Sequence, residues 1–228
     1  MAKIKIYSAV VCPYAHRSRL VLQEKGIDFD LIEINLQNKP EGFTDISPYG
    51  KVPAMSATGY AYAHNNHRVW ESAVINEYLN EVFPNPPLLP SSPIAKAQAR
   101  IWIDFANTRF VPAFSTLLRS SDIQQQEAAK QELYKHLEFI ENEALGKLSG
   151  NGPYWFGESV SLVDFTFYPW FERWAALKHY RGLALSEEFT RLRQWKKALK
   201  QRDSVVAIAN SKELYIERYA RFATPVAA

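Results

Sequence analysis

Cys12 is the single cysteine of the 228-residue chain, and its surroundings could give it thiol chemistry. The alternating pattern of residues 3–8 predicts a strand, and the pattern from Pro13 to about Gly26 predicts a helix. Proline is favoured in the first turn of a helix. A thiol at that junction faces the N–H groups and the positive end of the helix dipole, which favours the thiolate. The sequence therefore predicts a reactive cysteine, and the alternative is a buried, inert one.

The spacing around Cys12 limits what a reactive thiol could do. The pattern is half of a thioredoxin-like Cys-x-x-Cys motif, with Ala15 in the place of the second cysteine. No internal thiol can resolve a mixed disulfide, so the partner thiol must come from another molecule. Arg17 could add to the activation if its side chain folds back toward the sulfur.

Strand and helix patterns alternate through residues 1–83 and predict a small α/β domain of order β-α-β-α-β-β-α. The predicted strands cover residues 3–8, 29–34, 52–56 and 68–70, and the predicted helices start at Pro13 and cover 42–46 and 71–82.

A proline-rich segment, residues 84–93, predicts a domain linker, because so many prolines cannot continue a helix or a central strand. The sequence thus predicts domains at 1–83 and 94–228, the second of them all-helical. Ser161 and Asp164 have the spacing of a capping box at the start of an apolar helix. Helical periodicity covers residues 93–119, 123–148, 161–179, 187–201 and 211–222.

Composition argues against several classes of protein. The net charge of +3 is too weak to indicate a nucleic-acid or membrane-surface partner. A lone cysteine fits a reducing compartment, and the N-terminus lacks a signal-peptide pattern, so a cytoplasmic location is expected. No apolar stretch approaches the ~20 residues of a membrane span.

Taken together, the motifs resemble those of the glutathione transferases, and in particular the omega-like, cysteine-containing class. The resemblance covers nearly the whole chain in matching order. It rests on Cys12-Pro13-Tyr14-Ala15-His16-Arg17, residues 34–41, Ser47-Pro48-Tyr49-Gly50-Lys51-Val52-Pro53, Trp70-Glu71-Ser72-Ala73 and Pro169-Trp170-Phe171-Glu172-Arg173.

The resemblance implies a thioredoxin-like N-terminal domain that binds glutathione and an all-α C-terminal domain. It implies that Cys12 is catalytic, and that the Val52 backbone, before a cis Pro53, pairs with the cysteinyl unit of glutathione. Glu71 and Ser72 would hold the γ-glutamyl end beside helix N–H groups, although the same residues could simply cap that helix.

Lys39 would meet the glycine-end carboxylate, unless it is an ordinary loop lysine, and Lys51 lies close by in sequence. Three aromatic residues could line an acceptor pocket, although tryptophans are more often core: Tyr14, Trp102 and Trp170.

The implied function is a glutathione-dependent thiol transferase or reductase that acts on a small electrophilic, oxidised or disulfide substrate, with dehydroascorbate reduction or deglutathionylation as the activities. Glutathione would be a cosubstrate, no metal is expected, and a homodimer is implied. Residues 57–68 form a predicted hairpin that is longer than the usual turn of the family. It contains His64 and His67, which could be metal ligands, but no carboxylate cluster accompanies them.

Two alternatives remain from the sequence. Tyr7, Ser8 or Tyr14 could supply a hydroxyl for glutathione conjugation. A non-catalytic binding protein of the same fold, such as the chloride-intracellular-channel proteins, is the other, but His16, Arg17 and Arg19 would make membrane insertion costly.

Overall fold

The computed structural model describes residues 3–58 and 67–223 and divides the chain into two compact units. The first unit runs to Leu88 and also includes residues 203–208, and the second holds residues 89–202 and those from Ala209 onward. The boundary after Leu88 falls inside the segment 84–93 that the sequence predicts as a linker. The return of residues 203–208 to the first unit was not predicted.

The first unit is built on one mixed four-stranded sheet in the order β2-β1-β3-β4. β1 pairs parallel with β2 and antiparallel with β3, and β4 pairs antiparallel with β3. This arrangement confirms the predicted thioredoxin-like α/β domain. The strands are β1 (Lys3–Ser8), β2 (Phe29–Glu33), β3 (Ala54–Thr58) and β4 (His67–Trp70), and the helices are α1 (Pro13–Glu24), α2 (Phe43–Ile46) and α3 (Ser72–Val82).

β3 begins at Ala54, two residues later than predicted. The reason is Pro53, which follows Val52 through a cis peptide bond and has no N–H group to donate to the sheet. The tip of the predicted 57–68 hairpin, with His64, lies outside the described residues.

The rest of the described chain is helical, as predicted. The one β interaction described there is an isolated bridge between Tyr154 and Gly157. The helices are α4 (Pro93–Phe105), α5 (Val111–Arg119), α6 (Ile123–Phe139), α7 (Gly146–Leu148), α8 (Leu162–Glu172), α9 (Trp174–Arg181), α10 (Thr190–Lys200), α11 (Asp203–Val206) and α12 (Lys212–Ala223).

Two π-helical segments interrupt the long helical stretches that the sequence predicts. Ala106–Phe110 separates α4 from α5, and Ile140–Leu145 separates α6 from α7. Each inserts a wider turn without ending the helical path.

The predicted capping box at the start of α8 is confirmed, and it forms the polar centre of the second unit's core. The buried Asp164 carboxylate accepts from the Ser161 N–H and hydroxyl, both at 2.7 Å, from the Trp155 N–H at 3.0 Å and from the Trp195 indole at 2.7 Å. Burial raises the pKa of this carboxyl, and the hydrogen bonds oppose that shift.

The first half of the proline-rich segment is fastened to the first unit. The Lys25 ammonium, at the end of α1, donates to the carbonyls of Phe83 and Pro86, both at 2.7 Å. The Leu88 N–H donates to the Asn80 side chain at 2.8 Å, and the Leu88 side chain is buried. Residues 83–88 are therefore anchored by named contacts to α1 and α3.

Over the residues described, no helix has the length and apolarity needed to cross a membrane.

Candidate functional site

Cys12 lies where the sequence predicts, between the end of β1 and the first turn of α1. It is the N-cap residue, with φ −77° and ψ 115°, and Pro13 follows as the first helical residue. Its N–H donates to the Ala9 carbonyl at 2.9 Å, and its carbonyl accepts from His16 N–H at 3.0 Å. The Cys12 side chain makes no capping hydrogen bond to the N-terminus of α1.

The sulfur of Cys12 contacts the loop that precedes β3. Its thiol donates to the Val52 carbonyl, with 3.6 Å between Sγ and oxygen. The cis peptide bond between Val52 and Pro53 is confirmed. The structure therefore brings together two of the predicted site residues, Cys12 and Val52, that are forty positions apart in sequence.

The loop that carries Val52 is held in place by Ser47. The Ser47 hydroxyl donates to the Lys51 carbonyl at 2.7 Å and accepts from the Lys51 N–H at 3.1 Å. Gly50 adopts a φ of +60°, a conformation that glycine favours, and its N–H donates to the Ser47 carbonyl at 2.7 Å. These bonds fix the backbone immediately before the Val52 carbonyl.

The half-buried Cys12 packs against an apolar cluster. Apolar neighbours keep water from that side of the sulfur and strengthen electrostatic interactions there. The buried members of the cluster are Ala9, Ala15, Ile34, Phe43 and Val52, and the side chains of Tyr7, Cys12, Ile32 and Ile46 pack against them.

The start of α3 has an unusual backbone. Glu71 precedes the helix with φ +68°, which is uncommon for a residue with a side chain and costs on the order of 1–3 kcal/mol. Its side chain is exposed, and its carbonyl accepts from the Ile75 N–H at 2.9 Å. Ser72 is the first residue of the helix and is 4% exposed.

Arg17 connects α1 with α3 at this site. Its side chain is buried, and its Nη1 donates to the Ser72 hydroxyl at 3.3 Å. The guanidinium carbon lies 5.1 Å from the centre of the Tyr14 ring, which is itself 38% exposed. Burial lowers the pKa of Arg17 to about 9, and the charge interactions with Tyr14 and Cys12 oppose that shift.

The sequence indicates Arg17 only as a possible aid to the activation of Cys12, and it does not predict the contact with Ser72. The available signal was its place in the motif, five residues after Cys12.

Lys39 and Lys51 are both exposed. A Cβ atom placed on Gly50 would lie 3.8 Å from Lys39 Nζ, so the Lys39 ammonium sits beside the loop that leads to Val52. A cation is thus available near this loop.

Trp102 and Trp170 belong to the second unit, and both are buried there. The Trp102 ring, on α4, packs against the rings of Phe105, Phe139 and Trp155 with centroids 5.1 to 5.5 Å apart. Trp170 lies in the buried helix α8. Their role in an acceptor pocket, like that of Tyr14, stays a prediction.

Within residues 3–58 and 67–223, no group of three or more His, Cys, Asp or Glu side chains is placed to hold a metal ion.

Comparisons of the sequence and the fold with known proteins point to one family. The family model for the N-terminal domain of glutathione S-transferases matches residues 11–82, and the model for their C-terminal domain matches residues 123–198. Glutathione S-transferase omega-1 of Sus scrofa is 33% identical over 90% of this chain and 80% of its own length.

Solved structures agree with the sequence comparison. Glutathione transferase Omega 3C from Trametes versicolor superposes with a TM-score of 0.82 at 32% identity, over 96% of this chain and 90% of that one. A rice glutathione transferase, solved in complex with glutathione, superposes with a TM-score of 0.85 at 26% identity, over 100% of this chain and 99% of that one.

Proposed function

Because the chain belongs to the glutathione S-transferase family and resembles its omega class, we propose that it is a glutathione-dependent thiol transferase and reductase whose nucleophile is Cys12. The observation that carries the proposal is the position of the thiol. It lies at the N-terminus of α1, makes no capping hydrogen bond to that helix, and contacts the Val52 carbonyl at 3.6 Å.

In this proposal glutathione binds along the loop before β3 and the start of α3. The Val52 backbone, before the cis Pro53, pairs with the cysteinyl unit and so brings the glutathione sulfur to Cys12. Ser72 and the first N–H groups of α3 take the γ-glutamyl carboxylate, and the exposed Glu71 takes its ammonium. Lys39 takes the glycine-end carboxylate, with Lys51 as a second cation nearby.

The reaction is thiol–disulfide exchange in two steps. The Cys12 thiolate attacks the glutathione sulfur of a glutathionylated substrate, which forms the Cys12–glutathione disulfide and releases the substrate as a thiolate that takes up a proton. A second glutathione thiolate attacks the glutathione sulfur of that adduct, which releases glutathione disulfide and regenerates the Cys12 thiolate. With dehydroascorbate as the oxidant, two glutathione molecules are oxidised to the disulfide for each ascorbate formed.

Conjugation is the weaker candidate, because a thiolate at this position suits exchange with a disulfide of glutathione rather than activation of the glutathione thiol. Of the hydroxyls that could replace the cysteine, Ser8 is fully buried, and Tyr7 packs against the apolar cluster with its ring 6.2 Å from that of Phe43. Tyr14 is the most exposed of the three.

The family membership also supports a homodimer in the cytoplasm. Light scattering of the purified protein tests the first point, and fractionation of the source cell tests the second.

The central experiment is intact-mass spectrometry of the reduced protein after treatment with glutathione disulfide. One glutathione adduct should form, dithiothreitol should remove it, and Cys12→Ala should abolish both the adduct and turnover of a glutathionylated peptide. Cys12→Ala should retain the circular dichroism spectrum of the wild type. An unmodified wild-type protein, or a Cys12→Ala variant with full turnover, would contradict the proposal.

A further inference from the structure

We propose that Arg17 is a positioning residue with two roles, in which its guanidinium orients the Ser72 hydroxyl toward a bound carboxylate while its charge stabilises the Cys12 thiolate. The first role rests on the function proposed above. The second concerns the reactivity of the thiol itself and does not require glutathione.

The geometry places one buried cation on the helix that follows Cys12 and in contact with the start of α3. Arg17 is 1% exposed, and it lies on the helix that begins directly after Cys12. Its Nη1 reaches across to Ser72, the first residue of α3, at 3.3 Å. A guanidinium is rarely buried unless its hydrogen bonds and charge are used, because desolvation of a cation is costly.

The hydrogen bond fixes what the Ser72 hydroxyl can do. A hydroxyl oxygen that accepts from a guanidinium N–H directs its own proton elsewhere, and the positive charge makes that proton a better donor. At the N-terminus of α3, such a donor adds to the helix N–H groups that favour an anion. The arrangement suits a carboxylate and disfavours a ligand group that can only donate.

The second role concerns Cys12, which lies directly before the helix that carries the buried Arg17. The charge interaction with Cys12 opposes the lowering of the Arg17 pKa by burial, as expected for attraction between a negative sulfur and this cation. Cys12 packs against the apolar cluster, and solvent screens charge interactions of the sulfur less on that side.

Two titratable side chains border this pair and have to be considered in a pH experiment. Tyr14 faces the guanidinium at 5.1 Å from the same helix, and Tyr7, from β1, packs against the cluster that also holds Cys12. From α3, the neutral hydroxyl of Ser72 contacts Arg17.

The test compares Arg17→Met and Arg17→Lys with a matched control, Arg19→Met. Arg19 is also buried on α1, and its Nη2 donates to the Val10 carbonyl at 3.2 Å. The first readout is the rate of Cys12 alkylation by iodoacetamide between pH 5 and 9.5, and the second is KM and kcat for glutathione in thiol transfer.

Arg17→Met should alkylate about tenfold more slowly at pH 6 and reach the wild-type rate near pH 9.5, because the loss of a close cation raises a thiol pKa by about one unit or more. Its KM for glutathione should also rise. Arg17→Lys keeps the charge but not the planar fork, so alkylation at pH 6 should stay within about threefold of wild type while KM rises. Arg19→Met should change neither readout by more than about twofold.

Alkylation profiles that superimpose for wild type and Arg17→Met would overturn the proposal, and so would an equal loss in Arg19→Met. If Arg17→Met does not fold, Arg17→Lys provides the test. An unchanged KM for glutathione in Arg17→Lys would contradict the first role, and a tenfold slower alkylation at pH 6 would contradict the second. If Cys12 of the wild type is alkylated fast but the protein transfers no thiol, the proposed function is wrong. The alkylation rates of the Arg17 variants then still test the effect of its charge on Cys12.

Discussion

At the scale of single residues, backbone placement decides the chemistry of Cys12. The thiol lies at a helix N-terminus and contacts the Val52 carbonyl. Hydrogen bonds between Ser47 and Lys51 fix the loop that carries this carbonyl. A thiolate gains from the helix N-terminus and is repelled by the Val52 carbonyl, since a carbonyl oxygen carries partial negative charge. A glutathione backbone that pairs with Val52 would occupy the polar groups of that residue and reduce the repulsion.

The alkylation of wild-type Cys12 should already show an activated thiol. We expect it to react readily at pH 6 and to be protected by prior treatment with glutathione disulfide, which would occupy the sulfur. An ordinary thiol becomes reactive only as the pH approaches its usual value of about 8.5. A rate that rises steeply through pH 8 to 9 and is negligible at pH 6 would contradict an activated Cys12.

Glu71→Gln should weaken the binding of reduced glutathione. The substitution keeps the size of the side chain and the demand for a positive φ, and it removes only the charge. Loss of one charge-assisted hydrogen bond of about 1.5–3 kcal/mol corresponds to roughly a tenfold to hundredfold weaker Kd by titration calorimetry. Glu81→Gln, at an exposed position on the same helix, is the control. Equal affinities for both variants and the wild type would rule out the assignment of Glu71.

At this scale the sequence predicted correctly that Cys12 lies at the junction of β1 and α1 and that Pro53 follows a cis peptide bond, because both depend on local pattern and on the family motif. The catalytic role of Cys12 stays a prediction. The sequence did not predict that Arg17 is buried against Ser72, since these residues lie on different helices and meet only when α1 packs against α3. A side chain on a helix can be assigned to a face from periodicity, but its partner on another helix depends on the tertiary fold.

At the scale of elements, α8 depends on one buried carboxylate. The Asp164 carboxylate takes part in the capping box at the N-terminus of this helix. It also accepts hydrogen bonds from Trp155 and Trp195, which lie outside the helix. The capping box was predictable from the spacing of Ser161 and Asp164, because both partners lie within four residues. The two tryptophan contacts and the π-helical segments were not, since they depend on how distant helices pack.

Asp164→Ala should lower the free energy of unfolding by about 3 kcal/mol or more, because it leaves several buried donors without an acceptor. Asp164→Asn should cost less. Its oxygen can still accept from Trp155 and Trp195, which share one carboxylate oxygen, while its amide group would oppose the Ser161 N–H. Urea titration followed by tryptophan fluorescence measures both.

The control for this pair is Asp104→Ala, at an exposed position on α4, which should change stability by less than about 0.5 kcal/mol. Equal stabilities for Asp164→Ala and the control would show that the cap carries no net stability.

At the scale of the whole molecule, the chain leaves the first unit after Leu88 and re-enters it at residues 203–208. The first crossing falls inside the proline-rich segment 84–93, which stands out in the sequence because proline restricts its own backbone. Nothing local marks the second crossing. α11 is a four-residue helix that contacts α1 in the first unit. The Ser204 hydroxyl donates to Glu24, 180 positions earlier, at 2.7 Å.

This return predicts that α11 stabilises the helix that carries Cys12. Val205 is 0% exposed and its neighbour Val206 is 59% exposed, so the two provide a matched pair in one helix. Val205→Ala should cost about 1.5–3 kcal/mol through lost burial and a cavity, and Val206→Ala less than about 0.5 kcal/mol. Hydrogen exchange should then show faster exchange in α1 and β1 for Val205→Ala, while α8 and α10 keep their protection, because the cavity lies in the first unit. Faster exchange confined to α8 and α10 would place α11 in the second unit instead, and unchanged exchange everywhere would mean that α11 contributes nothing to the helix of Cys12.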